Sequence, residues 1–190
     1  MENKRLFIAV YLPMQVRETL HELGRRVLKK YDSARPVKAA NMHITLKFLG
    51  NVPSCDIDQI YTAISGGIIA FKSFIFEIDG IIDAFPDKKR ARILFAGIGE
   101  GKQELNVLYS SLEESLERVC KQFNTRAGRK DFMAHVTLAR FCNPEDITEQ
   151  INEAGTLIPF RVECKKVIIF ESILKPGETR YTKLKEFSLK

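Results

Sequence analysis

At 190 residues the chain can bury one sizeable core, and its 45% hydrophobic and 28% charged residues exclude a disordered or fibrous polymer. No apolar run approaches the length of a membrane-spanning helix. A formal charge of +6 and a pI near 9.1 favour a polyanionic partner, although charge alone sets solubility and steering rather than a site.

The first predicted element is a strand over Arg5 to Leu12. Lys4 and Arg5 ahead of an apolar run look like an export leader, but the run stops at Pro13 and no small-residue cleavage site follows. Pro13 opens a helix over Met14 to Lys30. A strand at Met42 to Leu49, a helix at Ser54 to Ile69 and a strand at Lys72 to Asp83 complete the first half. The order then repeats as a strand at Arg92 to Gly97, a helix at Lys102 to Phe123, a strand at Ala134 to Phe141 and a short helix at Glu145 to Ala154. Strands at Phe160 to Glu171 and Tyr181 to Leu189 close the chain. Basic residues cluster at Arg25, Arg26, Lys29 and Lys30, at Lys88, Lys89, Arg90 and Arg92, at Arg126, Arg129 and Lys130, and at Lys165 and Lys166. Each cluster reads as a solvated face. Cys55, Cys120, Cys142 and Cys164 form no Cys-x-x-Cys pair, so they read as reduced and structural, in keeping with a cytoplasmic protein.

Within this repeat the pattern His-x-Thr-Leu occurs twice, as His43-Ile44-Thr45-Leu46 and His135-Val136-Thr137-Leu138, and takes two of the three histidines. Random order predicts roughly 0.01 copies, so chance does not explain two. Each copy alternates as a strand does: Ile44 and Leu46 face a core while His43, Thr45 and Lys47 share the other face, and Val136 and Leu138 oppose His135 and Thr137. On the first strand the same parity turns Phe7, Ala9 and Tyr11 towards the motif face, where Phe7 or Tyr11 could stack a base.

The expected architecture is α+β: a single two-lobed domain over residues 1–190, with pseudo-repeats of roughly 1–90 and 91–190 related by a pseudo-twofold axis. Two antiparallel sheets line a central groove and the helices cover their outer faces.

Two facing imidazoles can supply a base and an acid together near neutral pH, which suits hydrolysis of a phosphodiester without a metal. Thr45 and Thr137 then point at non-bridging phosphate oxygens. Competing chemistries lack parts. A zinc site finds only His21 as a third imidazole, on a predicted helix facing solvent, and Ser65-Gly66-Gly67 reads as a helix end rather than a nucleophile elbow. Gly97-Ile98-Gly99-Glu100-Gly101 departs from dinucleotide-binding spacing and is given a turn role. No cofactor is implied and no obligatory protein partner is inferred.

These motifs, with Arg5 to Val10, Asn41 to Gly50, Ala84-Phe85-Pro86, Arg90 to Leu94, Phe170 to Ser172, Pro176-Gly177 and Arg180-Tyr181, make the chain resemble the two-histidine phosphoesterases, specifically the RNA 2′,3′-cyclic phosphodiesterases formerly called 2′-5′ RNA ligases. The resemblance spans nearly the whole chain. It implies hydrolysis of a 2′,3′-cyclic phosphate at the end of RNA or of a nucleotide, with His43 as proton donor to the leaving 3′ oxygen and His135 as base for water. It also implies Thr45, Thr137 and Arg140 as phosphate contacts; Lys47 is a further candidate from its strand parity alone. The alternatives are ligation in the reverse direction, action on a small cyclic phosphate, and a non-catalytic module that binds RNA ends. Arg140 lies five residues from His135, so strict alternation points it away from the groove and a bulge must redirect it. Two departures from the family pattern are Ala134, where a proline commonly stands, and Tyr11, where an acid is frequent.

Overall fold

Apolar side chains recur at every second residue of the strands and every third or fourth of the helices, so each element must bury one face. The computed structural model describes residues 2–31, 34–122, 132–154, 158–175 and 178–190. In chain order the elements are β1 (Asn3–Tyr11), α1 (Met14–Val27), β2 (Ala34–Pro36), β3 (His43–Pro53), α2 (Ile57–Ile68), β4 (Phe74–Phe85), β5 (Ala91–Ile98), α3 (Lys102–Gln122), β6 (His135–Glu145), α4 (Thr148–Ala154), β7 (Phe160–Cys164), β8 (Lys166–Lys175) and β9 (Glu178–Ser188). Phe123, the basic cluster Arg126, Arg129 and Lys130, and Pro176-Gly177 lie outside the described residues.

The strands form one antiparallel sheet in the order β7-β4-β5-β6-β3-β1-β8-β9, with β2 added on β6. This corrects the expectation of two separate sheets, because the motif strands β3 and β6 pair directly through Ile44 and Val136. Pairing there satisfies backbone groups that two free sheet edges would have left open. The two sides of the sheet also mix the halves of the chain. β4, from the first half, pairs with β5 and β7, whereas β8 and β9, from the second, extend the side that holds β1. The expected strand at Phe160 to Glu171 is therefore two strands, broken at Lys165, that lie near opposite ends of the strand order. A one-residue link between such distant strands requires the sheet to curl until its ends approach. Hydrogen bonds from Ser73 N to Lys190 O (2.7 Å) and from Leu189 N to Lys165 O (2.8 Å) close that approach.

Among the described residues the four α-helices lie on one face. Leu20 and Leu23 of α1, Ile60 and Ile64 of α2, Leu108 and Leu112 of α3 and Ile151 of α4 join Ile44, Leu46, Val136 and Leu138 in one buried cluster. Burial of this kind stabilises by about 25 cal/mol per Å2 of apolar surface, and it is what orients both motif strands. The last turn of α2 holds Ser65-Gly66-Gly67, as expected, and Gly67 lies against Ser111 and Ser115 of α3. A Cβ at Gly67 would collide with Ser115 Oγ, while Ser111 Oγ donates to the Gly67 carbonyl at 2.6 Å. Gly101 ends the glycine-rich turn between β5 and α3 with φ of 77°, a conformation that L side chains rarely adopt.

The opposite, helix-free face carries a smaller buried cluster of Phe7, Ala9, Ile168 and Phe170, flanked by Tyr11 and Tyr181. The motif residues share this face. Cys55 and Cys142 are free and exposed rather than structural, whereas Cys164 is buried and its thiol is pushed up to about 12 by burial. Among the described residues no helix is long and apolar enough to cross a membrane.

Candidate active site

β3 and β6 meet at the pair Ile44 and Val136, both fully buried. With antiparallel register about that pair, the neighbouring residues His43 and Thr45, and His135 and Thr137, fall on the helix-free face. The first seven residues of the two strands show the same alternation of burial, including two consecutive buried residues at Leu46-Lys47 and at Leu138-Ala139. Each doublet marks a bulge. Ile8 pairs with Lys47 but Ala9 with Thr45, leaving Leu46 unpaired, and Leu94 pairs with Ala139 but Phe95 with Thr137, leaving Leu138 unpaired.

The bulge resolves the parity of Arg140, which emerges exposed beyond Ala139 and acts electrostatically on both imidazoles. It also corrects Lys47. Alternation turned Lys47 to the motif face, but the extra residue at Leu46 sends it to the helix side, where it is only 7% exposed and is paired with Glu113 of α3. Lys47 is therefore not brought together with His43, Thr45, His135, Thr137 and Arg140. Phe48 takes the place on β3 that Arg140 takes on β6, standing 66% exposed with its ring 6.1 Å from that of Phe7.

Each imidazole is held in the same way. His43 Nδ1 donates to the Asn41 carbonyl at 2.7 Å and His135 Nδ1 to the Met133 carbonyl at 2.8 Å. A carbonyl only accepts, so both rings are protonated at Nδ1 and turn Nε2 to the open face. His43 Nε2 lies 2.9 Å from Thr45 Oγ1. Its ring packs against Phe7 at 4.9 Å and Tyr181 at 5.4 Å, while His135 meets Phe95 at 5.4 Å. Phe7, 2% exposed beneath His43, Phe170 and Tyr181, is a floor for the histidine and offers no free face to a base.

The turn before His43, Ala39 to Asn41, is clamped from three sides. Buried Arg17 donates to the Leu12 carbonyl at 2.9 Å and to the Ala39 carbonyl at 3.0 Å, Tyr11 Oη donates to the Ala40 carbonyl at 3.0 Å, and Asn41 Nδ2 donates to the Thr179 carbonyl at 2.8 Å. The Arg17 guanidinium also sits 4.2 Å over the Tyr11 ring. Tyr11 thus secures this turn with its hydroxyl. His21 does not simply face solvent: its Nδ1 donates to the Val37 carbonyl at 2.8 Å and ties α1 to the same connection. Sequence reasoning missed Arg17 and Asn41, since a buried helical arginine carries no periodic signal of its own.

Burial is the largest cause of a low His43 pKa, pushing it down to about 4; Arg140 and His135 add to this and the bond to Asn41 opposes it. His135 is also lowered, first by burial and then by Arg140, against the bond to Met133. The protein's own surroundings therefore keep both rings neutral at pH 7. Among the described residues no three His, Cys, Asp or Glu side chains gather as ligands for a metal.

The family profile described as LigT like phosphoesterase matches residues 10–95 and 100–181. The chain belongs to that family. Its relatives include the RNA 2′,3′-cyclic phosphodiesterase of Thermotoga maritima, 29% identical over 182 residues, covering 96% of this chain and 94% of the relative. The enzyme of the same name from Archaeoglobus fulgidus is 30% identical, covering 96% of this chain and 99% of the relative. Among solved structures, Escherichia coli LigT complexed with 3′-AMP superimposes with a TM-score of 0.76 at 26% identity, covering 99% of each chain. The α+β fold is thus shared with LigT over nearly the full length.

Three outcomes follow from these electrostatics. In an NMR titration of the imidazole carbons, His43 takes up its proton near pH 4 and His135 below 6.5, and inorganic phosphate moves both upward because an anion favours the imidazolium. A ring whose folded pKa is depressed stabilises the fold above its unfolded value, so stability measured by urea falls as pH drops from about 6.5 towards 4. Glu113→Ala strands Lys47 beneath α3 and costs about 1–3 kcal/mol in the same urea assay, whereas Lys47→Met, which keeps the apolar stem and drops the charge, costs less than about 1 kcal/mol.

Proposed function

We propose that this protein is a cytoplasmic, metal-independent hydrolase that opens the 2′,3′-cyclic phosphate at the end of RNA to a 2′-phosphomonoester, with His43 and His135 as acid and base. One observation carries the reading: two imidazoles, each fixed at Nδ1 by a carbonyl two residues earlier, turn Nε2 to one face where Arg140 acts on both. The names of the relatives support the same substrate class.

In the proposed reaction a water approaches phosphorus opposite the 3′ oxygen and loses a proton to neutral His135 Nε2. As the new P–O bond forms, the bond from phosphorus to the 3′ oxygen breaks, and His43 Nε2–H gives its proton to that oxygen. The 2′ ester bond is retained. Thr45 and Thr137 hydroxyls donate to the non-bridging oxygens, and Arg140 offers two parallel N–H donors to the charge that grows there. The scheme needs no metal because acid, base and anion donors are all side chains. Solvent exchange then restores the proton to His43 and removes it from His135.

The two strands then act as halves of a pseudo-twofold pair, each giving one ring and one hydroxyl to a tetrahedral centre. Since both rings are neutral in the free protein, the proton on His43 is supplied as the anionic substrate binds. That electrostatic coupling is the feature that separates this site from a pair of histidines titrating independently near 6.5.

Replacing either histidine tests the scheme. His43→Ala and His135→Ala each lower hydrolysis of a cyclic-ended oligonucleotide by about 100- to 10,000-fold, assayed in chelator. For the parent, kcat/KM against pH is bell-shaped with its maximum below 6.5, and the kcat profile lies at higher pH because bound phosphate raises both pKa values. A joined strand as product points instead to ligation. Retained binding without any product reduces the site to an RNA-end module.

A further inference from the structure

β3 and β6 share only the pair Ile44 and Val136, and beyond it the edge of β6 is taken by the short strand β2. In that pairing Ala34 faces Phe141, Arg35 faces Arg140 and Pro36 faces Ala139. Directly opposed residues of an antiparallel pair point to the same face, and Ala34 and Phe141 both pack on the helix-side core. Arg35 and Arg140 therefore rise together on the face of the histidines, both exposed.

Like charges directly across a ladder destabilise it, and such a pair is ordinarily relieved by a neighbouring carboxylate. Among the described residues neither arginine has one: the ion pairs take up Lys4, Lys47, Arg90, Arg161, Lys165, Lys166 and Lys183 in the sheet and its turns, and leave this pair aside. A solvated surface would tolerate one such arginine. Two in register, opening onto the candidate active site, match an anionic ligand with more than one charge.

We propose that Arg35 binds the phosphodiester one nucleotide upstream of the cyclic end, so that the groove prefers an RNA strand to a cyclic mononucleotide. The inference rests on the function proposed above. The reacting phosphate is already met by two hydroxyls, two imidazoles and Arg140, which leaves its two non-bridging oxygens supplied. Arg35 stands one strand further over, about 5 Å away, close to the spacing of successive phosphates in a single strand. It contacts substrate without touching the reacting atoms, and a single charge is enough for that contact.

The experiment measures kcat/KM on three substrates: a 2′,3′-cyclic mononucleotide, a dinucleotide with a cyclic end, and the same dinucleotide with an uncharged methylphosphonate linkage. The parent prefers the charged dinucleotide. Arg35→Ala lowers kcat/KM on it by about 3- to 10-fold, chiefly through KM, and leaves the other two substrates within about twofold. Arg35→Lys restores most of the loss. The slope of log kcat/KM against log salt on the charged dinucleotide falls by about 0.7 for one lost phosphate contact. An equal loss on all three substrates assigns Arg35 to the reacting phosphate or to the fold and overturns the proposal, as does no loss on any. If the parent hydrolyses the mononucleotide but shows no preference for the charged linkage, this inference fails alone. If it hydrolyses none of the three, the proposed function fails and this inference with it.

Discussion

Everything on the motif face depends on one contact, the antiparallel pairing of Ile44 with Val136. Those side chains come from positions 92 residues apart in the chain, and both are fully buried beneath the helices. Their burial drives the backbones together, and the alternation of a strand then forces the flanking imidazoles and hydroxyls to the other face. The two strands pair nowhere else, and beyond this point the edge of β6 is taken by β2. One short seam is thus enough to set both motifs on the same face.

The bulges at Leu46 and Leu138 are the second constraint. Each shifts the strand by one residue just past the motif, so that Leu46 and Lys47, or Leu138 and Ala139, both turn to the core side. On β6 this brings Arg140 to the face of the motif residues. On β3 the same shift takes Lys47 away to Glu113 and brings out Phe48. One device repeated on two strands therefore gives one a cation and the other an aromatic ring. The nearly equivalent motifs end in different surroundings: His43 lies among Phe7, Phe170 and Tyr181, with Thr45 on its Nε2, and His135 has Phe95 at its edge.

Strand parity made His43, Thr45, His135 and Thr137 legible before any coordinates, because their alternation is local and the motif is doubled. The helices were legible for the same reason, from Leu105 to Leu116 in α3 above all. What escaped was whatever depends on an interruption of the period. A bulge leaves no mark in composition, so alternation puts Lys47 on the motif face and Arg140 off it, the reverse of where the structure has them. The break at Lys165 has neither proline nor glycine to announce it, and β7 and β8 read as one strand although they belong near opposite ends of the order. β2, three residues long, is too short to show periodicity at all. Arg17, in turn, reads as an ordinary polar residue of an amphipathic helix until its two carbonyl partners are seen.

The clamp on the turn before His43 bears on the difference between the two rings. Arg17, Tyr11 and the Asn41 side chain fix the backbone of Ala39 to Asn41, and the Asn41 carbonyl in turn fixes His43 Nδ1. A ring held this firmly cannot swing to solvent to find a proton, so its depressed pKa is a property of the fold rather than of a passing rotamer. In the proposed reaction, an acid that is neutral until an anion arrives gives up nothing to water beforehand, and it becomes competent only when the group that needs its proton is already in place. The same rigidity keeps Nε2 aimed at one point, as the proposed transfer of a proton to the leaving oxygen requires.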